Sequence, residues 1–229
     1  MKKNSILYAV AAGVAGAALL GALWWFGALP SQRQLYLKIK DQPTLVSLFA
    51  KVQAQEQQLK KTPDDAALYM DLALNWKSLG HRSNGVTGFF RKSLAVYEKG
   101  IAKFGSKNIL FYLNAGKVAE ELRDYAKAEE YFKAAIEISP ADENGYLSLA
   151  DLYSYKMGKS VSEVAAVYNQ GGPKMADPTA LIWGRGSYLK RVGQYAAALP
   201  DYEVLSKAFP DNQGYKDAIA EIKAKLNQQ

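Results

Sequence analysis

Two helix-like patterns of matched length, ILFYLNAGKVAEELRD and YAKAEEYFKAAIEISP, follow one another from Ile109 to Pro140 and restrict the fold of this chain more than any other feature. Tyr112, Gly116 and Ala119 share one face of the first pattern, and Ala128, Phe132 and Ala135 share one face of the second. Small residues at Gly116 and Ala128 let two antiparallel helices approach closely, and the Phe132 ring fills the space beside them. Pro140 ends the second helix and begins a turn. Such a hairpin cannot bury its apolar face alone, so it demands neighbours of the same kind.

The neighbours are present in degenerate form. From Glu143, the residues Tyr146, Leu149, Ala150 and Tyr153 repeat the first helix, and Val164, Tyr168 and Gly171 repeat the second after a short insertion. From Thr179, the residues Gly186, Tyr195, Ala198, Tyr202 and Pro210 fit without a gap. An earlier unit begins near Ala66 with Tyr69, Leu72, Ala73 and Trp76, and resumes at Ser93, Tyr97 and Gly100 after about eight extra residues. The order aromatic, small, Ala, aromatic, Ala, Pro at Tyr112, Gly116, Ala128, Phe132, Ala135 and Pro140 resembles the tetratricopeptide repeat (TPR), a helix–turn–helix of about 34 residues. The reading is all-α: an α-solenoid of antiparallel helix hairpins, TPR-like, preceded by one transmembrane helix. About four repeats occupy 63–213, a leading helix 44–62 precedes them, and a capping helix 214–229 closes the array. Tyr215, Ala218, Ile219, Ile222 and Leu226 form the one apolar stripe of that cap.

Asn4 to Gln32 carries no charge. After a tail of residues 1–5, the run 6–29 would reach roughly 36 Å as a helix, enough for a hydrocarbon core of about 30 Å. It is too long for the apolar stretch of a secretory signal, and cutting after Ala28 would leave Phe26 where a small residue is needed. An uncleaved signal-anchor is therefore favoured, with residues 30–43 as a polar stalk. Lys2 and Lys3 argue for a cytoplasmic N-terminus, while Arg33, Lys38 and Lys40 argue the reverse. The shortness of the N-terminus favours a soluble domain outside the cytoplasm, in a bacterial envelope. Gly13, Ala17 and Gly21 recur at helical spacing, the pattern through which membrane helices self-associate or pair with another span.

Composition removes several classes of function. The chain of 229 residues contains no cysteine, which excludes disulfides, thiolate catalysis, iron–sulfur clusters and cysteine-based zinc sites. His81 is its only histidine, so a multi-histidine metal site is excluded as well. The net charge of +7 is spread among acids, with no basic block carrying interleaved aromatics, so no nucleic-acid partner is expected. Glu120-Glu121 and Glu129-Glu130 read as solvated helix faces, not as an acid/base pair. The stretch His81 to Gly88 reads as a surface loop, with recognition as its functional alternative. No catalytic residue, metal or cofactor is assigned.

The TPR resemblance implies a groove lined by the first helix of each repeat. Carried over, it places Met70, Asp71, Leu74 and Lys77, then Leu113, Asn114, Lys117 and Glu120, then Asn144, Leu147, Asp151 and Tyr155, then Trp183, Ser187, Lys190 and Arg191 on that surface. Some TPR domains grip a C-terminal carboxylate with a Lys/Asn clamp; Asn114 fits one clamp position, but Met70 and Leu74 stand where Lys and Asn are required. A mixed surface of this kind suits an extended peptide or a helix, with Trp183 as the candidate hot spot. The resemblance therefore implies a membrane-anchored scaffold that recruits or assembles an envelope complex. The alternative is a constitutive structural subunit of an envelope machine or filament.

Overall fold

The computed structural model describes residues 31–228, so the apolar segment, including Gly13, Ala17 and Gly21, lies outside the described residues. All regular structure among them is helical: α1 (Gln32–Leu37), α2 (Pro43–Lys61), α3 (Ala66–Arg82), α4 (Thr87–Phe104), α5 (Leu110–Glu121), α6 (Tyr125–Ile138), α7 (Glu143–Leu152), α8 (Val161–Gly171), α9 (Thr179–Arg191), α10 (Tyr195–Ala208) and α11 (Gln213–Leu226). From α2 onward each helix packs on the next, and α5 with α7 and α7 with α9 also meet. No helix among the described residues is long and apolar enough to cross a membrane.

Short polar residues set the helix starts. Asp65, Asp124, Asp142 and Asn212 cap α3, α6, α7 and α11 by accepting from backbone amides one turn in. Ser160 and Glu163 form a capping box at α8. Inside two hairpins the same tight turn is built by different residues. Arg123 after α5 and Gly193 after α9 both adopt positive φ, 59° and 78°. The next amide bonds back in each case, Asp124 to Ala119 O and Gln194 to Leu189 O, at 2.9 and 2.8 Å.

The hairpins close on a glycine–ring contact. A Cβ built on Gly116 would stand 2.3 Å from Cε1 of the buried Phe132, and one built on Gly80 of α3 would stand 2.6 Å from Cε1 of Phe90 of α4; between hairpins, Gly100 of α4 meets Phe111 of α5 in the same way. The core divides into two clusters that meet at α5. Phe111, Ala115 and Val118 pack towards α2–α4, whereas Leu113 and Ala119 pack towards α6–α11. Tyr131 of α6 touches both.

Three sequence expectations are corrected. The supposed polar stalk is folded: Ser31 caps α1, Leu35 and Ile39 are buried, and Gln32 bonds Gln53 and Glu56 of α2. Two apolar residues four apart suffice to seat this turn on the array. His81 and Arg82 belong to α3, and Thr87 and Gly88 open α4, so the loop between them shrinks to 83–86. The extra residues of the first repeat lengthen its helices to 17 and 18 residues, against 12 and 14 in the α5–α6 hairpin. In the next repeat the insertion follows α7 as a wide π turn, Tyr153–Met157, ended by Gly158 at φ 60°.

Candidate functional site

The face formed by α3, α5, α7 and α9 carries the residues that sequence comparison placed in a groove. Met70 and Asn114 join its first two helices: the Asn114 amide donates to Leu110 O at 2.9 Å and lies 3.7 Å from Met70 Sδ. Asp71 and Leu74 are exposed beside them, and Lys77 is half-buried. Leu113 is not a surface residue. It is 9% exposed and belongs to the core cluster, because the following hairpin covers it.

The centre of the face is a cavity of about 480 Å³ lined by Lys117, Glu120, Glu121, Asp151, Tyr155 and Lys156. Lys117 pairs with Glu120 at 3.1 Å and lies 5.2 Å from the centre of the Phe132 ring. His81 reaches from α3 to Glu121, with Nε2 at 3.6 Å. The Arg191 guanidinium covers the Tyr155 ring at 4.5 Å and the Tyr188 ring at 5.3 Å, and donates to Ser154 Oγ at 2.6 Å. Burial pushes the Asp151 carboxyl above its ordinary value, and Lys117 and Arg191 offset only part of that rise. The Tyr168 hydroxyl is pushed up to about 12 by burial first and by Asp151 second. The cavity thus sets acids and bases side by side, Glu120 largely covered and Glu121, Asp151 and Lys156 exposed at its rim. That suits polar and charged groups of a ligand entering between them.

The π turn explains why Tyr155 projects. Widening the helix after Leu152 presents Tyr155 to solvent at 61% exposure. Glu121, Lys156, Ser154 and Tyr188 complete the site and were not anticipated. The short insertion after Tyr153 signals Ser154 and Lys156, whereas nothing in the sequence marks Glu121 and Tyr188.

Other expected residues behave differently. Trp183 is 52% exposed on α9, and Leu147 is half-buried with Cδ2 close to Gly184. The Asn144 side chain is taken up by Asp142 at the start of α7. Ser187 meets the Tyr202 hydroxyl at 3.2 Å, and Lys190 pairs with Glu221 of α11 at 2.6 Å. The first closes the α9–α10 hairpin, and the second ties the array to its cap.

Comparison with known proteins agrees with this architecture. The tetratricopeptide repeat family model matches residues 110–142. Curated proteins give no match to the sequence. Among solved structures, the chain is similar to YrrB, described as a TPR protein with an unusual peptide-binding site. The identity is 16% and the TM-score 0.52, over 78% of this chain and 86% of that one. It is also similar to a tetratricopeptide repeat protein from Parabacteroides merdae, at 16% identity and TM-score 0.54, over 86% and 73% of the two chains. A thermophilic TPR protein from Thermus thermophilus matches at 16% identity and TM-score 0.51, over 85% and 100%. Likeness at this identity establishes the fold, an all-α solenoid of TPR type.

Proposed function

We propose that this chain is a protein-binding scaffold that takes an extended segment or helix of another protein on the α3–α5–α7–α9 face and is held at a bilayer by the apolar run 6–29. In this reading it recruits or assembles an envelope complex and performs no catalysis itself. The observation that carries it is the exposure of three large side chains, Leu74, Tyr155 and Trp183, on the face whose centre is the charged cavity. Exposed aromatic anchors beside charged groups are the usual makings of an interface hot spot. Peptide binding by the similar YrrB supports the same use of this fold. The uncharged run of the sequence supports attachment to a membrane.

A pull-down of the full chain from native membranes in mild detergent tests the reading. It is compared with a Trp183→Ala, Tyr155→Ala, Lys117→Ala variant of unchanged helicity. A partner lost only in the variant establishes the face as a recruiting surface. A partner retained by both would refute it and favour the structural-subunit alternative.

A further inference from the structure

We propose that the α1–α4 corner of the solenoid is a docking surface for an anionic bilayer, so that the array lies against the membrane instead of standing off it. The inference rests on the bilayer attachment proposed above. Leu29, the last residue of the apolar run 6–29, stands three positions before Gln32. At roughly 3.5 Å per residue, α1 therefore begins within about 10 Å of that run. What the structure places there is not the polar stalk the sequence suggests.

A cleft of about 680 Å³ opens between α1 and the start of α4, lined among others by Leu37, Lys38, Thr87, Gly88 and Arg91. Leu37 is 54% exposed at its edge, and Tyr36 beside it is also exposed. Lys38 and Arg91 line the cleft itself, and Arg33, Lys40 and Lys92 stand within a few residues of its lining in the chain. Arg33, Lys38 and Arg91 have no ion pair among the described residues, and the first turn of α4 holds no acid. Two carboxylates approach the corner. Asp41 pairs with Lys40 at 3.8 Å, and Glu56 is held by the Gln32 amide. Exposed Tyr and Leu beside cations of which, among the described residues, only Lys40 has an acidic partner match the headgroup layer of an anionic membrane, which accepts aromatic and aliphatic side chains below its phosphates.

Each cation near such a surface favours association roughly fivefold. Reversing three of them lowers the ratio of docked to undocked protein by more than roughly a hundredfold. Because the chain has no cysteine, Leu37→Cys provides a unique site for an environment-sensitive fluorophore, and Val204→Cys on α10 provides a distant control. The full chain is reconstituted into vesicles of phosphatidylcholine alone or with phosphatidylglycerol. The expected result is a blue shift at position 37 in the anionic vesicles only, absent at 204, reversed by high salt and lost in Arg33→Glu, Lys38→Glu, Arg91→Glu. No shift, an equal shift in neutral vesicles, or a shift that survives the triple variant overturns the proposal. Carbonate extraction of the same neutral vesicles reads the anchor separately. Protein retained there, with no shift at 37 in the anionic vesicles, refutes the docking surface and leaves the anchor standing, whereas protein released refutes the anchor.

Discussion

Gly116→Ala is expected to destabilise the fold although it replaces the second-poorest helix former with the best. Relief of glycine's backbone entropy in a helix interior is worth about 1 kcal/mol. Against this, the new Cβ would stand 2.3 Å from Cε1, 2.7 Å from Cδ1 and 2.8 Å from Cζ of Phe132. Carbon atoms in contact prefer about 3.5–4.0 Å, so the ring edge must recede by roughly 1.2 Å. Phe132 is fully buried among Ala128, Ala135 and the neighbouring helices, so it has no free volume to enter. Overpacking of this kind costs about 1–3 kcal/mol, and a rigid ring sits at the upper end. The net loss is about 1–2 kcal/mol, or a melting temperature lowered by roughly 2–8 °C for a domain of this size. Thermal and urea unfolding of the full chain, followed by circular dichroism, measures it. The mechanism is isolated by a cycle with Phe132→Leu, which removes the ring edge. In that background Gly116→Ala should become neutral or stabilising. A stabilising Gly116→Ala in the wild-type chain, or an equal loss in both backgrounds, would refute the steric account.

Other substitutions test other parts of the structure. Asp201 is 2% exposed and bound by Arg185 through Nε at 2.9 Å and through Nη2. Asp201→Ala should cost about 3 kcal/mol in urea unfolding, the low end for a broken buried pair because Arg185 retains some water, and adding Arg185→Ala should restore part of it. Arg123→Gly should stabilise the chain by about 0.5–1 kcal/mol, since it installs the residue that makes the equivalent turn at Gly193; a loss would show that the Arg123 side chain matters more than its backbone. The Asp151 carboxyl has a raised value in the fold, so its ionised form costs stability at neutral pH, and that cost disappears below its ordinary value of 3.8. Asp151→Asn should therefore raise the melting temperature at pH 7, with the gain fading as the pH falls through the raised value of the folded state and gone below 3.8. Trp183→Ala should change stability by no more than about 0.5 kcal/mol while abolishing partner capture, because half of the side chain already faces solvent.

The α5–α6 hairpin could be read from sequence because its contacts lie close together in the chain, and each small residue has its ring within the same 34-odd positions. The α1 turn could not, because its stability comes from α2 and from two apolar residues, Leu35 and Ile39, in a polar stretch. The His81 segment was misread because a tight loop and a longer helix end share composition; Leu79, buried on α3, and Phe89 and Phe90, buried on α4, were the signal that both helices continue. Within the candidate site, Lys117, Glu120, Asp151 and Tyr155, which the TPR resemblance placed on the groove, line one cavity. Leu113, Ser187 and Lys190 are drawn off by partners from later elements. The most distant, Glu221, is 31 residues from Lys190 and beyond any local pattern.

The division of the core at α5 has a mechanical consequence. In a one-dimensional array each unit is held chiefly by its neighbours. A load applied through residue 31 enters at α1, whose six residues are seated by Leu35 and Ile39. It passes next through the cluster of α2–α4 and reaches α5 before it can disturb α7 and α9. Phe111, Ala115 and Val118 then act as the gripping side of a keel whose other side, Leu113 and Ala119, stays fastened to the remaining hairpins. A chain pulled from its N-terminal end would yield in two stages, the α1–α4 portion peeling first while the α7 and α9 parts of the candidate face stay assembled.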